Sequence, residues 1–312
     1  MMKPKILFMG TPEFSVPSLE GLVKAGYPVI GVVTQPDRPR GRGKKHEPPP
    51  VKTLAEELGL MIYQPEKVRD ESFLSLFREL NPELVVLVAF GQILPREILE
   101  SPPWGCVNVH PSLLPRYRGA APINWALIRG EEKTGVTVLF MSEEVDAGDM
   151  ILQEEVPIGP EDTYDSLHDR LAGKGARLLV EAIGKIEDGT APRTPQEGKK
   201  ATFAPKLPPD MGLINWDREG RKIVNLIRGL SSQPGAYTFL RGKKFKIYGA
   251  SWETSGPEAG PGTVLEASEK GLPVVARDGL VYLRDVQLEG KKRMPVKDFL
   301  RGFRFTPGES FS

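Results

Sequence analysis

With 312 residues, 39% of them hydrophobic and 27% charged, the chain exceeds one ordinary domain and leaves each of two domains enough sequence to bury a core. Its single cysteine, Cys106, excludes an internal disulfide framework and a cysteine-based metal cluster. No signal-peptide pattern opens it, and no window reaches the roughly 18 to 20 unbroken apolar residues of a membrane span, so a cytoplasmic protein outside the membrane is expected.

In chain order, the first half alternates short apolar runs rich in β-branched residues with helical patterns. "KILFMG" from Lys5, "VIGVVT" from Val29, "MIY" from Met61, "LVVLVAF" from Leu84 and "CVNVH" from Cys106 each read as a buried strand. Between them, "VKTLAEELG" and "DESFLSLFREL" carry apolar residues at helical spacing, with Asp70 placed to cap the second. Such alternation predicts a Rossmann-like parallel sheet with helices on both faces. Two more strand candidates, "GVTVLFM" and "MILQEEV", precede a long helix from about Tyr164 to Glu187. A proline-rich stretch without periodicity then marks a linker, placed at 190–207. The rest, 208–312, offers one helix and several short alternating segments separated by glycine, the pattern of a small OB-like β-barrel domain after a catalytic domain at 1–189. Charge divides the same way. Residues up to Gly189 hold 21 Lys and Arg against 28 Asp and Glu, and those from Thr190 onward hold 21 against 13. A basic second half suits an anionic partner such as nucleic acid, or is a solvated surface.

Neither a phosphate-cradling P-loop nor the spaced glycines of a dinucleotide fingerprint follow the first strand, which disfavours a nucleotide-cofactor dehydrogenase. The chemistry concentrates elsewhere. In "CVNVH" the period of two puts Asn108 and His110 on one face of a strand that Pro111 ends, where ligands bind in open α/β sheets. The acidic stretch "EEVDAGDM" after the next strand holds Asp146 and Asp149, one of which could bring a carboxylate to the same crevice. An amide, an imidazole and a carboxylate without a nucleophile suit direct acyl transfer. The residues alone leave a structural histidine and an Asx-turn aspartate open. "RPRGRGKK", Arg38 to Lys45, holds five cations and no acid; it is either a solvated loop or a nucleic-acid contact. Three scattered histidines and one cysteine offer no metal-ligand spacing.

"NVHPSLLPRYRG" followed by "DAGD" resembles the signature of the 10-formyltetrahydrofolate-dependent formyltransferases. "GTPEFS", "TQPDRPRGRGKK", "FGQILP", "RGAAPINWAL" and "PGTVLEA" extend the likeness over nearly the whole chain. "QPDRPRGRGKK", "RGAAPI" and the extra C-terminal domain point to the family's tRNA-modifying branch rather than to one acting on a small amine. The resemblance implies Asn108, His110 and Asp146 as the catalytic set, with Ser112, Leu113, Leu114 and Pro115 as the folate-contacting segment. It implies Phe90, Gln92 and Leu94 as part of a pterin pocket, and 10-formyltetrahydrofolate as formyl donor without a metal. Methionyl-initiator tRNA is the implied acceptor, met by Arg38, Arg40, Arg42, Lys44 and Lys45 of the basic loop and by Lys243 and Lys244 of the barrel, in a protein expected to be a monomer.

Overall fold

In the computed structural model, which describes residues 3–40, 45–254, 259–306 and 308–312, the apolar runs of the first half form strands. Its elements are β1 (Ile6–Gly10), α1 (Val16–Lys24), β2 (Val29–Val33), β3 (Arg38–Arg40), β4 (Lys45–Glu47), α2 (Pro50–Glu57) and β5 (Ile62–Tyr63). They continue with α3 (Glu71–Leu80), β6 (Leu84–Val88), α4 (Arg96–Glu100), β7 (Cys106–His110), α5 (Pro122–Arg129), β8 (Lys133–Phe140), β9 (Met150–Pro157) and α6 (Tyr164–Glu187). By its contacts the chain divides into two units. One comprises Met1–Pro122, Thr134–Pro157 and His168–Ala204; the other comprises Ile123–Lys133, Ile158–Leu167 and Pro205–Ser312.

The first unit holds a seven-stranded sheet in the order β5-β2-β1-β6-β7-β8-β9. From β5 to β7 the neighbours are parallel, and the chain reverses its direction of travel through the sheet between β1 and β6, the place where open α/β sheets bind ligands. β1, β6 and β7 are buried along their whole length, as continuous apolar runs covered on both faces must be. One face sends Leu7, Met9, Val85, Leu87 and Cys106 into a cluster with Phe73 and Phe77 of α3 and Ile98 of α4. Each such aromatic contributes about 2 to 3 kcal/mol by leaving water. On the opposite face Val109 lies against α6, where a Cβ on Gly175 would come within 2.8 Å of its Cγ1. Asp70 stands at the N-cap of α3, but its side chain makes no capping hydrogen bond.

The expected all-parallel sheet is corrected at its edge, since β8 runs antiparallel to β7. A parallel return needs a crossover helix laid on the sheet. The helix in this connection, α5, packs elsewhere: Asn124 donates to the carbonyl of Gly229, and Ile128 lies where a Cβ on Gly229 would stand. β8 therefore enters beside the end of β7, with Thr137 opposite His110 and Phe140 opposite Val107. Residues 190–204, within the segment read as a linker, group with the first unit. Thr194 pairs with Met150, and Thr202 and Ala204 exchange backbone hydrogen bonds with Arg118.

The second unit adds α7 (Gly220–Leu230), β10 (Ala236–Leu240), β11 (Lys243–Glu253), β12 (Leu272–Ala276), β13 (Gly279–Leu288), β14 (Met294–Pro295) and α8 (Val296–Arg301). Its antiparallel sheet runs β10-β11-β13-β12, with β14 on β13. Irregular pairing around Gly249 bends β11. Ile223, Val224, Ile227 and Leu230 recur at helical spacing on α7 and share a core with Phe245, Ile247, Val281 and Leu283. The sheet path ends at β10 and β12, giving an open half-barrel among the described residues. No helix among them is long and apolar enough to cross a membrane.

Candidate active site

Asn108 and His110 emerge on the same face of β7, the face whose earlier part, at Cys106, is covered by α4. The Cys106 thiol donates to the carbonyl of Ile98 at 3.2 Å, and burial pushes it up to about 12. Beyond Cys106 the covering element is the acidic loop after β8. Because β8 is antiparallel, this loop starts at the wrong end: the Met141 N–H binds the carbonyl of Cys106. It then turns back along β7 to bring Asp146 to the two polar side chains.

The carboxylate of Asp146 is the hub. Its Oδ1 accepts from Asn108 Nδ2 at 3.2 Å, and its Oδ2 accepts from the Gly119 N–H at 2.9 Å and stands 3.5 Å from His110 Nδ1. Asn108 and His110 are 8% and 4% exposed. His110 Nε2 lies 2.9 Å from the carbonyl of Tyr117, which only accepts, so Nε2 carries a hydrogen and Nδ1 faces the carboxylate. The Tyr117 carbonyl thus holds the imidazole through Nε2 and leaves Nδ1 turned to the carboxylate, while the second hydrogen of the Asn108 amide is not needed by Asp146. Close approach is built in by glycines. Gly119 sits at φ +118° against the carbonyl of Ala204, and a Cβ on Gly148 would stand 1.9 Å from the carbonyl oxygen of Phe140.

Asp146 itself has φ +55°, a left-handed conformation that costs a non-glycine residue about 1 kcal/mol. A hydrogen-bonded network compensates. The Gln196 side-chain amide donates to the carbonyls of Asp146 and Gly148, each at 2.8 Å, and its oxygen accepts from Nε and Nη2 of Arg118 at 3.1 and 2.9 Å. Arg118 Nη1 reaches Glu144 at 3.0 Å. Neither Gln196 nor this use of Arg118 is foreseen from the sequence, because Gln196 lies in a stretch with no periodicity to mark it as packed.

The segment matched to folate contact is held from within. Ser112 Oγ donates to the carbonyl of Arg116 at 2.6 Å, and Leu114 is buried, with its N–H on Thr137 Oγ1 and its carbonyl on Gln153. Leu113 covers Gly135 of β8, and the Leu114–Pro115 peptide is cis. At the end of β6, Phe90 and Leu94 are buried, and the Phe90 carbonyl accepts from Thr11 and Gln35, joining the loops after β1, β2 and β6. Gln92 spends its side chain on Val68 N–H and the Glu66 carbonyl. The sequence does not single out Ile93, 77% exposed, or Val145, 53% exposed. They project from loops that an Arg96–Glu143 ion pair brings together.

The basic stretch begins in β3, which pairs antiparallel with β4, Arg38 opposite Glu47 and Arg40 opposite Lys45. Arg38 is exposed and touches Gln35; Arg42 and Lys44 lie outside the described residues. In the second unit Lys243 is exposed at the start of β11, and Lys244 Nζ stands 4.1 Å from the centre of the Tyr237 ring. The β11–β13 pairing sets both beside the turn that carries Lys291 and Lys292, since Glu289 N–H binds the Lys244 carbonyl. Burial first, and then the neighbouring Lys244, hold the Lys246 ammonium below its usual range. Arg241 is engaged by Glu309 and the Arg304 carbonyl.

Two family descriptions match the chain: "Formyl transferase" over residues 2–183 and "Formyl transferase, C-terminal domain" over 206–304. The "Methionyl-tRNA formyltransferase" of Syntrophus aciditrophicus is 53% identical over 99% of both chains, and that of Moorella thermoacetica is 51% identical over 98% of both. Among solved structures, HypX from Aquifex aeolicus in complex with tetrahydrofolic acid aligns with TM-score 0.65 at 21% identity, over 98% of this chain and 49% of that one. WlaRD, a sugar 3N-formyl transferase, aligns with TM-score 0.67 at 19% identity, over 94% of this chain and 100% of that one. At those identities the structural likeness speaks for the fold.

Proposed function

The chain belongs to the formyl transferase family, and from that membership and its near full-length methionyl-tRNA formyltransferase relatives we propose that it formylates methionyl-initiator tRNA with 10-formyltetrahydrofolate as donor. The observation that carries the chemistry is the Asp146 carboxylate shared between Asn108 and His110 on a buried strand face. The donor supplies a formyl group on a folate nitrogen. The acceptor's neutral α-amine attacks the formyl carbon, so negative charge develops on the formyl oxygen and the amine must lose a proton. Asn108 turns its spare amide hydrogen to that oxygen, a donor worth about 3 kcal/mol of barrier. The amine's proton passes to the pair formed by His110 Nδ1 and the Asp146 carboxylate and returns from it to the departing folate nitrogen, with the Tyr117 carbonyl holding the ring through Nε2.

The slot for the folate lies where the loops after β1 and β6 meet, backed by the buried Phe90 and Leu94. Ile93 and Val145 support this placement, because large apolar side chains left in water on two joined loops mark a binding rim. Since the hydroxyl of Ser112 and the side chain of Leu114 are engaged within the protein, residues 112–115 meet the folate through backbone and the parts of Leu113 and Pro115 that remain half-exposed. The tRNA is met by the basic stretch 38–45 and by Lys243 and Lys244 on the C-terminal unit, read as an OB-like barrel. In this reading the reacting groups lie in 1–189, supported by 190–204 of the same unit, and the added tRNA surface lies in 208–312, in a cytoplasmic monomer. The test is formylation by the purified chain. Formyl-methionyl-tRNA should accumulate only with 10-formyltetrahydrofolate and acceptor together, and a preference for a small amine over methionyl-tRNA would overturn the proposal.

A further inference from the structure

We propose that Gln196, gripped by the buried guanidinium of Arg118, is the positioning residue that sets the Asp146 carboxylate, an inference that rests on Asp146 acting in formyl transfer. The acidic loop reaches Asp146 from the far end of β7, and Asp146 must hold a left-handed backbone there. Few contacts of the loop itself enforce this. The Gln196 amide spends both hydrogens on it, one on the carbonyl of Asp146 and one on that of Gly148, at 2.8 Å each. Its orientation is not interchangeable. Two guanidinium hydrogens point at the amide oxygen from Arg118, whose side chain is 8% exposed, and a flipped amide would face donors with donors and acceptors with acceptors. The third contact, Arg118 to Glu144, holds the loop two residues before Asp146. Arg118 is itself anchored through its backbone, which pairs with Thr202 and Ala204 on the strap that carries Gln196. Loop, strap and arginine therefore form one closed circuit around the carboxylate.

Gln196→Glu keeps size and the pairing with Arg118 but turns a carboxylate oxygen toward two carbonyls, and should push the loop away. Gln196→Ala removes the grip without repulsion. With a displacement on the order of 1 Å, kcat for methionyl-tRNA should fall about a hundredfold in Gln196→Glu and less in Gln196→Ala. KM for 10-formyltetrahydrofolate should stay within about twofold, because the loss is confined to the reacting geometry. A double-mutant cycle with Asp146→Asn separates positioning from general damage. If Gln196 acts through Asp146, Gln196→Glu should cost little more once Asp146→Asn is present. A full additive loss, or unchanged kcat in both Gln196 variants alongside a crippled Asp146→Asn, would overturn the positioning role alone. Full activity of Asp146→Asn would instead overturn the catalytic reading beneath it.

Discussion

Replacing Gly148 with alanine tests whether the acidic loop must lie where it does. A Cβ at this position would stand 1.9 Å from the carbonyl oxygen of Phe140, a backbone atom that terminates β8 and cannot rotate aside. Real Cβ contacts begin at about 3.0 Å, so the loop must retreat by at least 1.1 Å. The Gly148 carbonyl and, two residues away, the Asp146 carbonyl are the two acceptors of Gln196, and the Asp146 side chain holds Asn108 and Gly119. Losing two or three of these bonds at about 1 kcal/mol each should lower stability by about 2 to 3 kcal/mol, which leaves a domain of this size folded. The reacting geometry suffers more, since a misplacement of this order costs about a hundredfold in rate. Single-turnover formylation of methionyl-tRNA measures that loss directly, with a thermal melt and titration of tetrahydrofolate fluorescence quenching as controls. Wild-type single-turnover rate in Gly148→Ala would refute the claim that this loop's position determines catalysis.

Three further outcomes are expected. His110→Ala and Asn108→Ala should each lower kcat by roughly two to three orders of magnitude with folate binding retained, measured by steady-state formylation, and near wild-type turnover in either would remove it from the catalytic set. The fourfold exchange of Arg40, Arg42, Lys44 and Lys45 for alanine should flatten the fall of tRNA affinity with salt by roughly 0.7 to 0.9 in log–log slope for each phosphate no longer neutralised, and an unchanged slope would assign the loop to solvent. Hydrogen bonding from Arg241, aided by Thr306, holds the Glu309 carboxyl at about 2 against an ordinary 4.5. The folded pKa is depressed, so this contribution is present above about 4.5 and is lost as pH falls towards 2. Glu309→Gln should therefore lower the melting temperature at pH 7 while converging with wild type near pH 2, as followed by circular dichroism.

An element is legible in the sequence where it announces itself by period. β1, β6 and β7 did so, as unbroken β-branched runs, and the alternation in β7 alone puts Asn108 and His110 on one face. The reversal of β8 did not. "GVTVLFM" reads the same in either direction, and only the diversion of α5 away from the sheet decides that no parallel crossover forms. Lys243 and Lys244 were visible as charge, but not their approach to Tyr237 and the 291–292 turn, which depends on the β11–β13 register. Ile93 and Val145 are not legible in the sequence, because an apolar residue in a loop looks the same whether it is buried or displayed.

Gln196 and the reversal of β8 are hidden in the sequence for one reason, and each accounts for the other. A carboxylate delivered from a parallel neighbour would arrive at the carboxyl end of the sheet with a strand beneath it and need no outside support. Delivered from an antiparallel strand, it must travel back over β7 on an irregular loop, with Asp146 in a backbone conformation that resists it. Something beyond the loop has to supply the missing hydrogen bonds, and the irregular segment that lies against it is the proline-rich strap. Prolines stiffen that strap without consuming donors, leaving its one amide side chain at 196 for the loop carbonyls and the backbone around Thr202 and Ala204 for Arg118. Pattern-free sequence is therefore where the support for this site had to lie. Shortening the strap by one residue between Thr194 and Gln196 should accordingly abolish turnover while the sheet, whose strands it does not join, still melts cooperatively; retained turnover would show that the loop stands unaided.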